Sequence, residues 1–295
     1  MKNISYIIIL LFISSVTFSQ EANGLFYKAS KDNQQIYLFG TIAGKMDKKI
    51  SLKKEISATY ERINNLVIDI DVSKDSSFNN EIKTKIESGD LSLLAEHLGK
   101  TFYTDGDSLK NHLSEKSMHI VSEKYKNILS ENELNFVKPW FALILLILSE
   151  YDVDDVSESP IKCLIDGRVN KDITYLTDIK DQFNLFITLS DEEVNYIIET
   201  FEDNYSDENT SNKVNAWIKG DKKKLKKFYE PKSKIELQLE KKFVINQNYK
   251  YLDKLTKIAK EKKEIFVIMN YENLICEESV LDLLKKEGYK IEKID

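Results

Sequence analysis

The chain has 295 residues, 42% of them apolar, enough to bury the core of one large α/β domain or two small ones. Three prolines and nine glycines leave no room for long disordered linkers, and a formal net charge of −6 over this length argues against a nucleic-acid surface. Residues 1–19 read as a secretory signal. Lys2 supplies the positive start, Ile4 to Val16 a short apolar run, and Thr17-Phe18-Ser19 a small-x-small cleavage site before Gln20. The apolar run falls short of the ~20 residues that span a bilayer, and no cysteine stands at the cleavage point for a lipid anchor. The expectation is one domain over residues 20–295, periplasmic or secreted, with no membrane span once the signal is removed.

That domain opens on a predicted hairpin, Leu25–Ser30 and Gln35–Ile42, joined through the turn-rich Lys31-Asp32-Asn33. Gly40-Thr41 ends the second strand in a tight turn. A side chain just past such a strand points into the crevice at its carboxyl end, the usual ligand position of open α/β sheets. Ala43 stands there, and it can neither ligate a metal nor move a proton. Lys53 to Asn64 has helical spacing, with Ile56, Tyr60 and Ile63 on one face. The next strand, Leu66–Val72, is apolar except for Asp69 and Asp71, and period-two spacing sets both carboxylates on one face.

Residues 74–158 read as helical. Ser88-Gly89-Asp90 caps a helix containing Leu91, Leu94 and Leu98. Pro139 stands in the first turn of an apolar helix, Trp140 to Leu148, too short for a membrane and assigned to the core. The acidic stretch Glu150 to Glu158 reads as a solvated loop. His97, His112 and His119 fall in this region. The last two share a helix face by spacing, as do most residues seven apart, so the three make no ligand set.

Ile173–Leu176 is a short strand followed by a helix from Asp178, and Ser190-Asp191-Glu192-Glu193 is a capping box for a helix through Phe201. Asp203 to Asn212 is polar and expected to be a mobile loop. Gly220-Asp221 reads as a helix stop and cap, and the lysine-rich run to Lys227 as a solvated helix face over Leu225 and Phe228. A long helix from Ile235 to Lys262 precedes a buried strand, Ile265–Met269, a helix, Ser279–Lys286, a stop at Gly288 and a last strand, Tyr289–Ile294. The class is α/β: a mixed sheet starting with an N-terminal β-hairpin, helices on both faces and a large helical insertion. Cys163 and Cys276 give no spacing pattern and read as buried or incidental thiols.

Gly24-Leu25-Phe26-Tyr27-Lys28 with Tyr37 to Ile42, Leu66 to Asp71, Lys138-Pro139-Trp140-Phe141, Tyr175 to Gln182, Trp217-Ile218-Lys219-Gly220-Asp221 and Phe266 to Tyr289 carry a resemblance. In that order they resemble segments of the TraB/PrgY/GumN family, which includes the Tiki proteins. The resemblance implies the family's fold over nearly the whole of residues 20–295 and, in relatives with both family histidines, a metal-dependent protease centre. This chain is a divergent member by the same comparison. Relatives carry His at Ala43, Glu at Asp69 and Thr177, Arg-Asn at Gln247-Asn248, and a late His at Asn273. The resemblance therefore implies a degenerate centre at Ala43, Asp69, Thr177, Gln247 and Asn273, with no catalytic residue and no cofactor.

Three strand ends, Thr41–Gly44, Asp69 to Val72 and Asn270 to Leu274, are expected to converge on a crevice lined by Ile42, Ala43, Asp69, Tyr271 and Asn273. Two imidazoles and a carboxylate there suit a transition ion with an open position for an activated water. Alanine removes every ligand atom, and asparagine leaves a neutral carbonyl oxygen, a poor partner for zinc. Asp69, Asp71 and Glu272 remain as an oxygen-rich set for magnesium, calcium or manganese. In the plainer alternative Asp71 bonds to a turn and Glu272 faces solvent. The function expected is an exported, non-catalytic protein that binds a peptide or protein ligand. The alternative is a divalent-metal-dependent hydrolase of the protease kind, using Asp69, Asp71 and Glu272.

Overall fold

The computed structural model describes residues 20–42, 50–70, 98–127, 129–150, 164 and 170–294. Strand β1 (Gln20–Ala22) leads into a hairpin of β2 (Leu25–Lys31) and β3 (Gln34–Thr41), in register from Leu25↔Gly40 to Lys31↔Gln34. That register leaves Asp32-Asn33 as the turn, and Asp32 takes φ 51°, a left-handed conformation that Asp tolerates better than most side chains. β4 (Ile50–Leu52) pairs in parallel with β1. α1 (Lys54–Arg62) buries Ile56 and Tyr60, and β5 (Asn65–Ile70) follows.

A helical section comes next: α2 (Glu115–Tyr125), α3 (Glu131–Asn135) and α4 (Pro139–Glu150). Pro139 is the first residue of α4, where a missing N–H breaks no intrahelical bond. β6 (Asp172–Thr177) leads to α5 (Ile179–Ile187), α6 (Asp191–Tyr205), α7 (Asp207–Ile218) and α8 (Lys222–Tyr229). Then α9 (Lys234–Glu240) passes through a π-helical turn, Lys241–Ile245, into α10 (Asn246–Lys262). β7 (Glu264–Asn270), α11 (Glu272–Ile275), α12 (Val280–Lys286) and β8 (Lys290–Lys293) complete the order.

The main sheet runs β6-β5-β7-β3-β2-β8, with β6, β5, β7 and β3 parallel and β2 antiparallel to both neighbours. The chain moves outward from β3 to β5 and returns from β6 to β7, so right-handed crossovers set α1 and α10 on opposite faces. A strand covered on both sides has no polar face, and in β7 the run Ile265 to Met269 is at most 1% exposed. One core surrounds the sheet, with Leu25, Phe39, Trp217 and Phe266 among its members. A second, built from Trp140, Phe141, Leu143, Val194 and Ile198, lies within the helical section and α6. The predicted class and its mixed sheet are observed.

Some expectations are corrected. Asp203 to Asn212 is no loop: α6 runs to Tyr205, and Ser206 caps α7 by accepting the N–H of Asn209 at 3.4 Å. The polar run is a helix surface whose anchors, Val214, Trp217 and Ile218, come only at its end. His112 precedes α2, so it shares no helix face with His119. The long helix is interrupted by the π turn. The Ser88-Gly89-Asp90 cap, His97, Cys163 and the acidic run beyond Glu150 lie outside the described residues, while Cys276 is a buried free thiol.

Candidate functional site at the carboxyl edge of the sheet

The parallel strands end at one edge, at Thr41, Ile70, Thr177 and Asn270, where the direction of the crossovers switches. Such a switch point is where α/β sheets bind ligands. Here the strand ends are tied to one another. Thr41 Oγ1 donates to the Met269 carbonyl at 3.1 Å, and the Tyr271 N–H donates to the Thr41 carbonyl at 2.8 Å. Asp69 Oδ2 accepts the Asn270 N–H at 2.9 Å. Asn270 Oδ1 accepts the Glu272 N–H at 3.1 Å, and Asn273 Nδ2 donates to the Asn270 carbonyl at 3.3 Å. Thr177 Oγ1 donates to Asp181 Oδ2 at 3.4 Å, beside the Asp178 cap of α5. Tyr251 of α10 reaches the same edge: burial, then the charges of Asp69 and Asp181, hold its hydroxyl well above the usual range.

The end of β3 is fixed from α7. Trp217, fully buried, donates Nε1–H to the Gly40 carbonyl at 2.7 Å. A Cβ on Gly40 would stand 2.8 Å from Leu274 Cδ1 and 3.1 Å from Tyr271 Cα, so glycine is what lets β3 approach the α11 turn. Gly220, at φ 63°, ends α7, and Asp221 caps α8 by accepting the Lys224 N–H at 2.9 Å. The reading of this pair as stop and cap therefore holds.

A model of the TraB/PrgY/gumN family matches residues 25–293. The chain belongs to the TraB/PrgY/gumN family. No curated protein and no solved structure matches it.

Of the family positions singled out above, Asp69, Thr177 and Asn273 come to the carboxyl edge, while Ala43 and Asp71 lie outside the described residues. Ile42, Tyr271 and Asn273 are buried, whereas Asp69, the other described member of the expected crevice, is half-buried. Gln247 and Asn248 are buried at the start of α10. Asn248 Nδ2 donates to Cys276 Sγ and to the Glu278 carbonyl, both at 3.2 Å, which ties α10 to the loop after α11. Burial pushes the Cys276 thiol up to about 12, so it has no nucleophile's charge near neutral pH.

Glu272 does not face open solvent. It is half-buried, and burial lifts its carboxyl to about 7 against the pull of Lys213 and a hydrogen bond from Tyr271. Its charged neighbours are Lys213 of α7 and Glu240 of α9, whereas Asp69 faces Asn270 and Tyr251. Among the described residues, no group of three or more His, Cys, Asp or Glu side chains is placed to hold a metal ion. A carboxyl that titrates near neutrality can still take or give a proton.

The sequence reading missed Lys213, Tyr229, Glu240 and Tyr251. One signal was present: Leu237, Glu240 and Val244 recur at helical spacing, so Glu240 occupies an apolar phase of its helix.

Proposed function

We propose that this TraB/PrgY/gumN family member is an exported protein that acts by binding a peptide or protein ligand, on a scaffold whose metal-hydrolase positions have been replaced. The observation that carries the reading is the hydrogen bond from the Asn270 N–H to Asp69. The carboxylate at the family's acidic position is engaged in holding β5 to the end of β7. Asn273 is likewise engaged with the Asn270 carbonyl, and the alanine at position 43 has no donor atom to offer an ion. Export rests on residues 1–19, whose charged start, apolar run and small-x-small end have the form of a signal peptide.

Elemental analysis of the purified chain tests this. Sub-stoichiometric metal and a melting temperature unmoved by EDTA are expected. Asp69→Ala should lower that temperature without changing metal content, since the partly buried Asn270 N–H loses its acceptor at a cost of about 1 kcal/mol. Stoichiometric metal that is lost in Asp69→Ala, together with peptide hydrolysis, would establish the second reading, a divalent-metal hydrolase on Asp69, Asp71 and Glu272. The near-neutral carboxyl of Glu272 is the one observation that favours it.

A further inference from the structure

A cavity of about 520 Å³ opens between the end of α8, the Pro231 link to α9 and the loop after α11. It falls within the ~300–1,000 Å³ typical of small-molecule sites. Its charged lining is balanced: Lys226, Lys232 and Lys234 against Glu230, Glu240 and Glu277. Of these six, five are exposed and only Glu240 is buried, at 8% exposure. Among the described residues no hydrogen bond or ion pair reaches its carboxylate. Burial and Glu277 oppose its ionisation, with Lys226 and Lys241 acting the other way. Beside it the Tyr229 hydroxyl is also buried and lacks a hydrogen-bond partner.

A buried hydroxyl without a partner, such as that of Tyr229, costs about 1–3 kcal/mol in an ordinary interior. It becomes an asset where a ligand supplies the missing partner. The ligand needs a cationic donor for Glu240 and Tyr229, and an anionic end to meet Lys226, Lys232 or Lys234, which share the exposed rim with Glu230 and Glu277. Leu237, Pro231 and Ile275, with the Tyr229 ring, give the wall an apolar stretch beside Ser233 and Cys276, which suits an apolar body. Glu240 stands where α9 widens into the π turn, a distortion that recurs at functional sites.

We propose that this cavity binds a free amino acid with an apolar side chain, its ammonium group held by Glu240 and the Tyr229 hydroxyl and its carboxylate turned to the lysine rim. The inference does not rest on the reading of the carboxyl edge, because it involves neither Asp69 nor a metal.

The test is calorimetric titration of the full chain, in EDTA, with leucine, with 3-methylbutylamine, which lacks the carboxylate, and with 4-methylpentanoate, which lacks the amine. Leucine is expected to bind best, the amine more weakly and the acid not at all. Glu240→Gln should weaken leucine at least tenfold while raising the melting temperature of the ligand-free protein. Tyr229→Phe, which keeps the ring, should weaken leucine several-fold and guards against a folding defect in the first variant. Equal binding of the acid and leucine, no binding of leucine to the folded wild type, or unchanged affinity in both variants would each overturn the proposal. Failure here leaves metal content unaltered, so it is distinguishable from failure of the metal reading.

Discussion

Replacing Trp217 by phenylalanine tests whether α7 fixes the edge of the sheet. The indole donates its only N–H to the Gly40 carbonyl at 2.7 Å in a fully buried setting. Phe keeps most of the ring contact, including that with Phe39, whose centroid lies 6.0 Å away. It leaves the carbonyl without this donor, at a cost of about 1–3 kcal/mol. It also removes roughly two carbon equivalents of buried surface at about 0.8 kcal/mol each. The sum, about 3–4 kcal/mol, is a large share of the ~5–15 kcal/mol that holds a typical domain folded. At about 2–4 °C per kcal/mol, the melting temperature should fall by roughly 10 °C. Urea unfolding followed by far-ultraviolet circular dichroism measures the loss, and Trp140 of the helical core gives a separate fluorescence reading. A loss under about 1 kcal/mol, the cost of an unremarkable substitution, would refute the argument.

Gly40→Ala should cost about 1–3 kcal/mol by forcing β3 away from the α11 turn, and an unchanged urea midpoint would mean that the turn yields freely. His112 makes stability depend on pH. Its Nε2 meets Asp107 Oδ2 at 2.8 Å and its Nδ1 meets Asp191 Oδ2 at 2.7 Å, and those hydrogen bonds raise its pKa above the ordinary 6.5. A pKa raised on folding gives stabilisation that is complete below the unfolded value and fades as pH climbs through the folded one. The wild type should therefore lose stability relative to His112→Gln as pH climbs above about 6.5; parallel thermal-melt profiles would contradict this.

Local patterns with one dominant cause were legible in the sequence. The hairpin follows from two apolar runs around Asp32-Asn33, the start of α4 from Pro139, and the start of α6 from the Ser190–Glu193 box. The buried strands follow from unbroken apolar runs such as Ile265 to Met269. Asp203 to Asn212 reads as a loop because Ser206 serves both as the end of α6 and the cap of α7, which polarity alone cannot separate from a loop. At the site, spacing put Asp69 on the correct strand but said nothing of its partner, since Asn270 lies 201 positions away and meets it only through the parallel register. The bridge from His112 to Asp191 is non-local in the same way. Glu240 is the exception. An acid in the apolar phase of a helix is visible before any fold is known, and its meaning appears only with the cavity it lines.

The π turn over Lys241–Ile245 acts as an angular offset. Each helical residue rotates the chain by about 100°, so one residue more or fewer re-aims everything upstream relative to everything downstream. The downstream half lies on β3, β6 and β7, and the upstream half turns its acid toward Tyr229. Deleting a single residue there would iron the rod straight and leave Asn248 and Tyr251 seated while Glu240 swung more than a quarter-turn off its bearing. Length in this segment is therefore constrained more tightly than composition.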